Sequence, residues 1–402
     1  MTNTKILISG ASIAGPALAH WLTRYGYAVT VVERAPAPRP GGQAIDVRGP
    51  ALDVAERMGI LDALRAHSTG MRGMSVVDAD GTEIYRTEER TVSGGDLDSP
   101  DVEILRDDLA RIITDATSGD VEYLFGDSIA ALEQDADEVR VVFESGLERT
   151  FDLVAGADGL HSNTRRLVFG PTERFIRHLG ISMAVCTVPN FLGLDHWQVM
   201  HQMPDGGMRG AMVMSARDNT EARAYLMFDT PEPVDYDHRD VAGQKEIVAR
   251  ALAGDSWEMP RLVEYGRAAT DFYFDSAAQI HLDSWSRGRV VLVGDAGYCG
   301  SPMSGQGTSM ALIGAYVLAG ELAAAGGDHR AAFAAYEKEL RDYARANQEM
   351  AVVNLRERRA QSGEAEDASA AAEVLVETGV AEFAQVVASY SVKDYGPDHS
   401  IR

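Results

Sequence analysis

The sequence predicts an α/β protein: a Rossmann-like parallel sheet flanked by helices, with a mostly antiparallel sheet inserted into it and a helix at the C-terminal end. Three observations carry that expectation. The chain opens with a short apolar run, Lys5–Ser9, that leads directly into Gly10-Ala-Ser-Ile-Ala-Gly15. A second apolar run, Arg289–Val293, leads into Gly294-Asp295-Ala-Gly-Tyr-Cys-Gly-Ser-Pro302-Met-Ser-Gly305-Gln306-Gly307. From about Leu179 to Tyr265 the pattern changes to alternation, as in Trp197–Met203, Met208–Ala216 and Ala222–Asp229. Continuous apolar runs suit strands buried on both faces of a parallel sheet, whereas alternation suits antiparallel strands.

Lys5–Ser9 is the first strand, and the glycine stretch turns it into a helix over Pro16–Tyr25. Gly10 allows the tight turn and Gly15 the close approach of helix to strand, so that free amides and the positive end of the helix face a pyrophosphate. Ser12 stands where the usual pattern has its middle glycine. Val29–Val32 reads as the second strand, ending in Glu33, where a carboxylate accepts hydrogen bonds from an adenosine ribose. Ile13, Ala14 and Arg34 complete this first candidate site. Val102 to Ile113, apolar at Leu105, Leu109, Ile112 and Ile113, predicts a helix with one buried stripe and Arg106 near its start. Short runs from Val121 to Phe151 predict a small antiparallel meander. The strand Phe151–Ala155 then enters Gly156-Ala-Asp158-Gly159-Leu-His-Ser162-Asn-Thr-Arg165, another glycine turn opening a helix. Two separate nucleotide-type loops in one chain suggest FAD.

With 402 residues, 45% hydrophobic and 24% charged, the chain is long enough for two cores. The expected division is a discontinuous cofactor domain (1–72, 101–178 and 270–360), a substrate domain (73–100 and 179–269) and a C-terminal lid (361–402). A formal net charge of -24 argues against nucleic acid or an anionic membrane as partner. Cys186 and Cys299 lack both a disulfide framework and metal-ligand spacing, which fits a reducing cytoplasm. The first strand leaves no room for a signal peptide, and no apolar run is expected to reach the length of a membrane span.

Gly10 to Gly15 with Glu33, then Arg106, then Gly156-Ala-Asp158-Gly159 with Ser162 and Arg165, then Gly294-Asp295 with Pro302 and Gly305-Gln306-Gly307, resemble in order the motifs of class A flavoprotein monooxygenases, which share the p-hydroxybenzoate-hydroxylase-like fold. The resemblance implies that the first loop and Glu33 hold the ADP half of FAD. It implies further that Arg106 contacts the flavin's polar chain, Asp158 lies in a segment serving both FAD and NAD(P)H, and Asp295 binds the ribityl hydroxyls. Pro302, Gly305, Gln306 and Gly307 would line the flavin ring, and no side-chain nucleophile is required. In that family reduced flavin reacts with O2 to give a C4a-hydroperoxide, which attacks an electron-rich phenol or enol carbon. Gly41-Gly-Gln43-Ala-Ile-Asp46-Val-Arg48-Gly49, Val188–His196 and Asp271–Asp275 are similar to the soil-type tetracycline destructases, which adds Gln43 and Arg48 to the candidate cofactor residues. Gly297-Tyr298 replaces the common Ala-His, and Gly300 stands in place of a proline. No Trp-x-Trp-x-Ile run of the flavin halogenases occurs among Trp21, Trp197, Trp257 and Trp285.

The substrate wall must come from what the flavin loops leave over. Met74–Tyr85, with Asp80-Gly81 as a hairpin turn, joins the alternating stretches in one sheet. Alternation puts Gln198, Met200 and Gln202 on one side and Val199, His201 and Met203 on the other, without saying which side faces the flavin. Met200, Met203, Met208, Met212, Met214 and Met227 are core filler or a soft pocket for a flat polycycle. Gln198, Met200, His201, Met212 and Phe383 are the candidate substrate contacts. A long helix over Arg330–Arg359, a polar break at Ala360–Asp367, and Leu375, Val380, Phe383, Val387 and Tyr390 at helical spacing predict a terminal helix, interrupted at Gly379, that lies across the substrate entrance or serves as a dimer contact. Cutting after Gly363 is expected to spare FAD binding, since every cofactor motif lies upstream.

The expected activity is insertion of one oxygen atom from O2 into a polycyclic phenol or enol, tetracyclines among them, with NADPH or NADH as co-substrate. The alternatives are an aromatic polyketide-tailoring hydroxylase, a reductase, or a flavoprotein that sequesters its ligand. Monomer and homodimer both remain open.

Overall fold

The computed structural model describes residues 4–117, 119–203, 208–237, 239–364 and 368–396. Among them, a six-stranded sheet runs in the order Ser286–Arg287, Val290–Leu292, Leu153–Gly156, Lys5–Ser9, Ala28–Glu33, Val121–Phe125. Every pair in it is parallel except the edge pair Ser286–Arg287 with Val290–Leu292. Ser9 is in register with Gly156, and Gly156 with Leu292, so Gly10, Ala157 and Val293 leave the sheet at one carboxyl edge. That edge is where open parallel sheets bind ligands. Helices Ala14–Arg24 and Gly307–Ala324 pack together behind it, with Leu18, Leu22, Ile313 and Leu318 wholly buried in the same core.

Two expected elements differ. Val102–Leu105 is a strand, not the first turn of a helix, because its alternating β-branched residues pair antiparallel with Ala44–Val47; the helix begins at Arg106 and runs to Asp115. Val121–Phe125 joins the parallel sheet beside Ala28–Glu33, which leaves a three-stranded meander, Ile129–Gln134, Val139–Phe143 and Glu148–Phe151.

The inserted sheet has seven strands among the described residues, in the order Tyr273–Ile280, Ile176–Val188, Glu221–Asp229, Gly210–Ala216, Gln198–Gln202, Met74–Val77, Glu83–Thr87. It extends past the expected segments, since Tyr273–Ile280 pairs with the long strand Ile176–Val188. Register decides which face is which. Gln198 lies opposite Met214, and Met200 opposite Met212, which in turn faces Tyr225. Met74, Met200, Met212 and Met214 therefore share one face, in a cluster closed by Ala372 and Val376 from the C-terminal region. The other face, with Ala211, Val213, Ala224 and Leu226, packs on helices Val241–Ala251 and Met259–Ala268 through Val248, Leu252 and Leu262.

The long C-terminal helix spans His329–Glu364, so residues 361–364 of the expected polar break continue it, and residues 365–367 lie outside the described residues. Helices Ala368–Glu377 and Val380–Ala388 follow, broken at Gly379, whose φ of 83° is left-handed. The side chains of Gln202 and Leu375 lie outside the described residues. One helix among the described residues, Gly307–Ala324, is long and apolar enough to cross a membrane, contrary to the expectation of none; it is 78% buried and forms the centre of the cofactor-domain core.

Candidate functional site

The first loop is built by close contacts that only glycine permits. A Cβ on Gly15 would lie 1.9 Å from the Gly10 carbonyl oxygen, and one on Gly10, at φ 108°, would lie 2.4 Å from the Ala157 carbonyl oxygen. Strand, turn and helix are thereby drawn into one bend. The helix Ala14–Arg24 starts at Ile13 with no side-chain cap and no acid in its first turn, so its leading amides are left for a ligand. Glu33, half-buried, accepts from the amides of Ala11 and Ala35, each at 2.9 Å, which fixes its carboxylate against the loop. Ser12 and Arg34 are exposed at the rim.

Gly294, at φ 64°, turns the chain leaving the strand Val290–Leu292 towards that loop: a Cβ there would stand 3.2 Å from the Ala14 side chain. The two glycine loops, almost three hundred residues apart, thus face each other. Asp295 begins the short helical turn Asp295–Tyr298, and burial raises its carboxyl above the ordinary range against a hydrogen bond from Cys299. Pro302–Ser304 is a single turn set by Ser301, whose φ of 79° is uncommon for a residue with a side chain. Gln306 precedes the helix Gly307–Ala324, which likewise has no side-chain cap and no acid in its first turn. A Cβ on Gly307 would meet Asp295 Oδ1 at 3.8 Å, placing the carboxylate beside the helix start.

Arg106 reaches across to Ser12 Oγ at 3.4 Å and the Gly41 carbonyl at 3.0 Å, while its own amide donates to Gln43. Burial, reinforced by nearby Arg39, lowers its guanidinium to about 10. Several deeply buried polar atoms here have no protein partner: Arg106 Nε, Gln43 Oε1 and both side-chain polar atoms of Gln306. Unmet polar atoms beside two uncapped helix starts and a glycine bend are what a polar, phosphate-bearing cofactor would satisfy, so the residues present fit FAD.

Asp158 is spent on the fold. Its carboxylate accepts from Ser162 Oγ, from Thr164 N at 2.9 Å, from Thr164 Oγ1 at 2.8 Å and from Ser9 Oγ at 3.3 Å, tying the Gly156–Gly159 turn to the first strand and the next helix. Fully buried Arg165 donates to Ala296 O at 2.9 Å and to Leu160 O, joining this turn to the Gly294–Asp295 turn. Tyr298 points into the core, where its hydroxyl meets Tyr336 at 2.9 Å and fills the notch left by Gly314. The Cys299 thiol is buried against Ala278 O and pushed well up by desolvation, so it is no nucleophile.

Of the candidate substrate contacts, Gln198, Met200 and Met212 sit on the sheet face turned to the cofactor domain. Two bonds fix that orientation: Arg223 donates to Gly42 O at 3.0 Å, and the Tyr225 hydroxyl accepts from Ala44 N at 2.7 Å. His201 is corrected. It lies on the opposite face, paired with Val77 O at 3.0 Å and Ser256 Oγ at 3.2 Å beside Trp257, because one residue along a strand reverses the side. Phe383 comes down from the terminal helix onto the loop, its ring carbon 3.3 Å from where a Gly305 Cβ would be, and Val387 closes on Gly49.

Sequence reading overlooked a buried polar network around Arg48. Asp46 Oδ2 pairs with Arg48 Nη2 at 2.8 Å, Arg48 Nη2 also donates to Ser93 O at 2.9 Å, and Ser93 Oγ links Glu103 to Gln198. Asp46 in the otherwise apolar strand Ala44–Val47, with Arg48 just past its end, was its one visible signal.

Two facing nucleotide loops beneath an inserted, covered sheet, antiparallel except where Gln198–Gln202 pairs with Met74–Val77, define the class A flavoprotein monooxygenase architecture. The chain belongs to the family described as FAD binding domain, whose profile matches residues 3–351. An uncharacterized protein of Mycobacterium tuberculosis (strain ATCC 25618 / H37Rv) is 58% identical over 85% of this chain and 91% of its own. A flavin-dependent monooxygenase of an unknown prokaryotic organism is 43% identical over 87% of this chain and 88% of its own. The crystal structure of tetracycline destructase Tet(51) superposes with a TM-score of 0.86 at 35% identity, covering 98% of this chain and all of the other. The chain is an FAD-dependent monooxygenase.

Proposed function

We propose that this monooxygenase uses NADPH or NADH and O2 to insert one oxygen atom into an electron-rich carbon of a flat polycyclic phenol or enol, and that tetracyclines are among its substrates. Bound FAD, once reduced, supplies the oxygen atom in electrophilic form. The protein's part is to hold it, orient the substrate and keep water out. Gly10–Gly15 with Glu33 takes the adenosine end, Arg106 and Asp295 the polar chain, and Pro302–Gly307 the ring.

The observation that supports the substrate class is the face of the inserted sheet turned to the cofactor domain. It is a face of Met74, Met200, Met212 and Met214, covered by Ala372 and Val376 of the helix Ala368–Glu377 and edged by Gln198. Thioether side chains adapt to a flat ring system, and Gln198, Arg223 and Tyr225 set polar groups at its margin. Asp158 supports any nicotinamide role only through the loop it holds, since its own oxygens are engaged.

The test is a panel of tetracyclines, simple phenols and aromatic polyketides, scored for accelerated NADPH loss and for product mass. A tetracycline product one oxygen heavier supports the reading. Hydroxylation of polyketides with no oxidation of any tetracycline replaces it with the tailoring hydroxylase. Ligand binding without oxygenated product points to sequestration.

A further inference from the structure

Asp46 and Glu103 stand directly opposite each other on the antiparallel pair Ala44–Val47 with Val102–Leu105. Like charges in that relation repel, and here both are enclosed. The groups around Asp46 are Arg48 on its own segment, Glu103 and Asp101 from the neighbouring strand and its approach, and Tyr225 from the inserted sheet. One guanidinium thus faces three carboxylates. Asp101 is held by the Gly49 amide at 3.1 Å, and Glu103 receives Ser93 Oγ on one oxygen and Thr69 Oγ1 on the other. Asp46 has one oxygen on Arg48 and the other, Oδ1, with no partner, although the side chain is only 8% exposed. Arg48 Nε and Gln198 Oε1 in the same network are also unmet, at 5% and 0% exposure.

The network sits against the reacting region. Ser309, in the first turn of the helix Gly307–Ala324, accepts from Arg48 N at 3.0 Å and donates to Asp46 O at 3.4 Å. Phe383 covers Arg48 on one side and Gly305 on the other. Three unmet buried polar atoms bounded by the flavin-ring loop, the terminal helix and the inserted sheet are a subsite for a ligand's own polar edge.

We propose that Asp46 accepts the acidic proton of the substrate's phenol or enol, with Arg48 and Glu103 setting its readiness to do so. This rests on the monooxygenase reading above. The substrate O–H bond breaks, an O–H bond forms on Asp46 Oδ1, and the electron pair stays on the substrate oxygen. The conjugated ring carbon thereby becomes richer in electrons and a better target for the electrophilic oxygen derived from O2. After transfer the proton returns to the product's oxygen, and Asp46 is regenerated. Burial first, opposed by Arg48 and reinforced by Glu103, raises the Asp46 carboxyl to about 7, close to working pH.

The test uses full-length, FAD-loaded protein with alizarin, a flat phenol whose colour reports ionisation, and tetracycline as second probe. In a pH titration without NADPH, the wild type should ionise the bound probe at lower pH than the free dye, and Asp46→Asn, nearly isosteric, should not. In turnover, Asp46→Asn should lower kcat by roughly 100-fold or more with KM changed only a few-fold, and should lose the limb of the pH profile near 7. Glu103→Gln should keep that limb and shift it to lower pH. Identical bound colour and pH limb in wild type and Asp46→Asn overturns the proposal, as does wild type binding both probes neutral or neither. A wild type that ionises its probe but oxygenates no substrate instead refutes the monooxygenase reading and leaves the proton acceptor standing.

Discussion

The guanidinium carbon of Arg48 lies 4.9 Å from the centre of the Phe383 ring, and the same ring rests on Gly305. A residue of the last helix thus closes on both the buried ion pair and the loop that lines the flavin ring. Glu377, in the helix before it, pairs with Arg90, which also holds Asp96, so the segment is latched to the inserted part as well.

Phe383→Ala should open this cover. A desolvated cation–π contact contributes about 1–2 kcal/mol, roughly 5- to 30-fold in the closed-to-open ratio. More of the consumed NADPH should then appear as hydrogen peroxide and less as oxygenated product. Paired peroxide and product assays check it, and unchanged coupling would remove the cover role.

Truncation after Gly363 cannot serve that purpose, contrary to the expectation from motif positions. Tyr395 lies flat on Gly320, where a Cβ would sit 2.3 Å from its ring, and its hydroxyl donates to Glu321 at 2.8 Å; Tyr390 stacks on Tyr343 at 5.1 Å. The tail is part of the cofactor-domain core. Truncation should lower Tm on the order of 5–10 °C and weaken FAD retention, whereas Glu377→Ala should change coupling with Tm nearly constant. Thermal melts with flavin fluorescence separate the two.

Asp295→Ala should weaken FAD retention at least about 10-fold, while Asp98→Ala, in an exposed loop, leaves it unchanged. Because burial opposes the Asp295 charge, the apo variant should be no less stable than wild type. Equal retention by the two variants would take Asp295 out of the site.

Asp46 should also govern stability against pH. Its carboxyl goes from an ordinary 3.8 to about 7 on folding, so the native state binds the extra proton. That contribution is fully present below about 3.8 and is lost as pH rises through 7. Between pH 5 and 8 the Tm of wild type should fall relative to Asp46→Asn; parallel curves would contradict the raised value.

The sequence by itself determined the parts whose physics is local. Gly10, Gly15 and Gly294 announce bends that no side chain tolerates, Glu33 follows its strand at the expected remove, and the period-two stretches give the inserted sheet. Gly379 marked the helix break. What lay outside local reach was not legible for that reason: Val102–Leu105 became a strand and not a helix because Ala44–Val47, over fifty residues earlier, supplies its partner, and the bonds from Asp158 to Thr164 and Ser9 arise only from the way the turn folds back. Tertiary structure alone decided which face of the Gln198–Gln202 strand looks to the flavin loops, because alternation fixes two sides without naming either, and only the bonds from Arg223 to Gly42 and from Ala44 to Tyr225 orient the sheet. It likewise decided that Asp46, Arg48 and Glu103 share one enclosure. Charge in a sequence carries no depth, and depth is what turns an ordinary carboxylate into one that keeps its proton near neutrality.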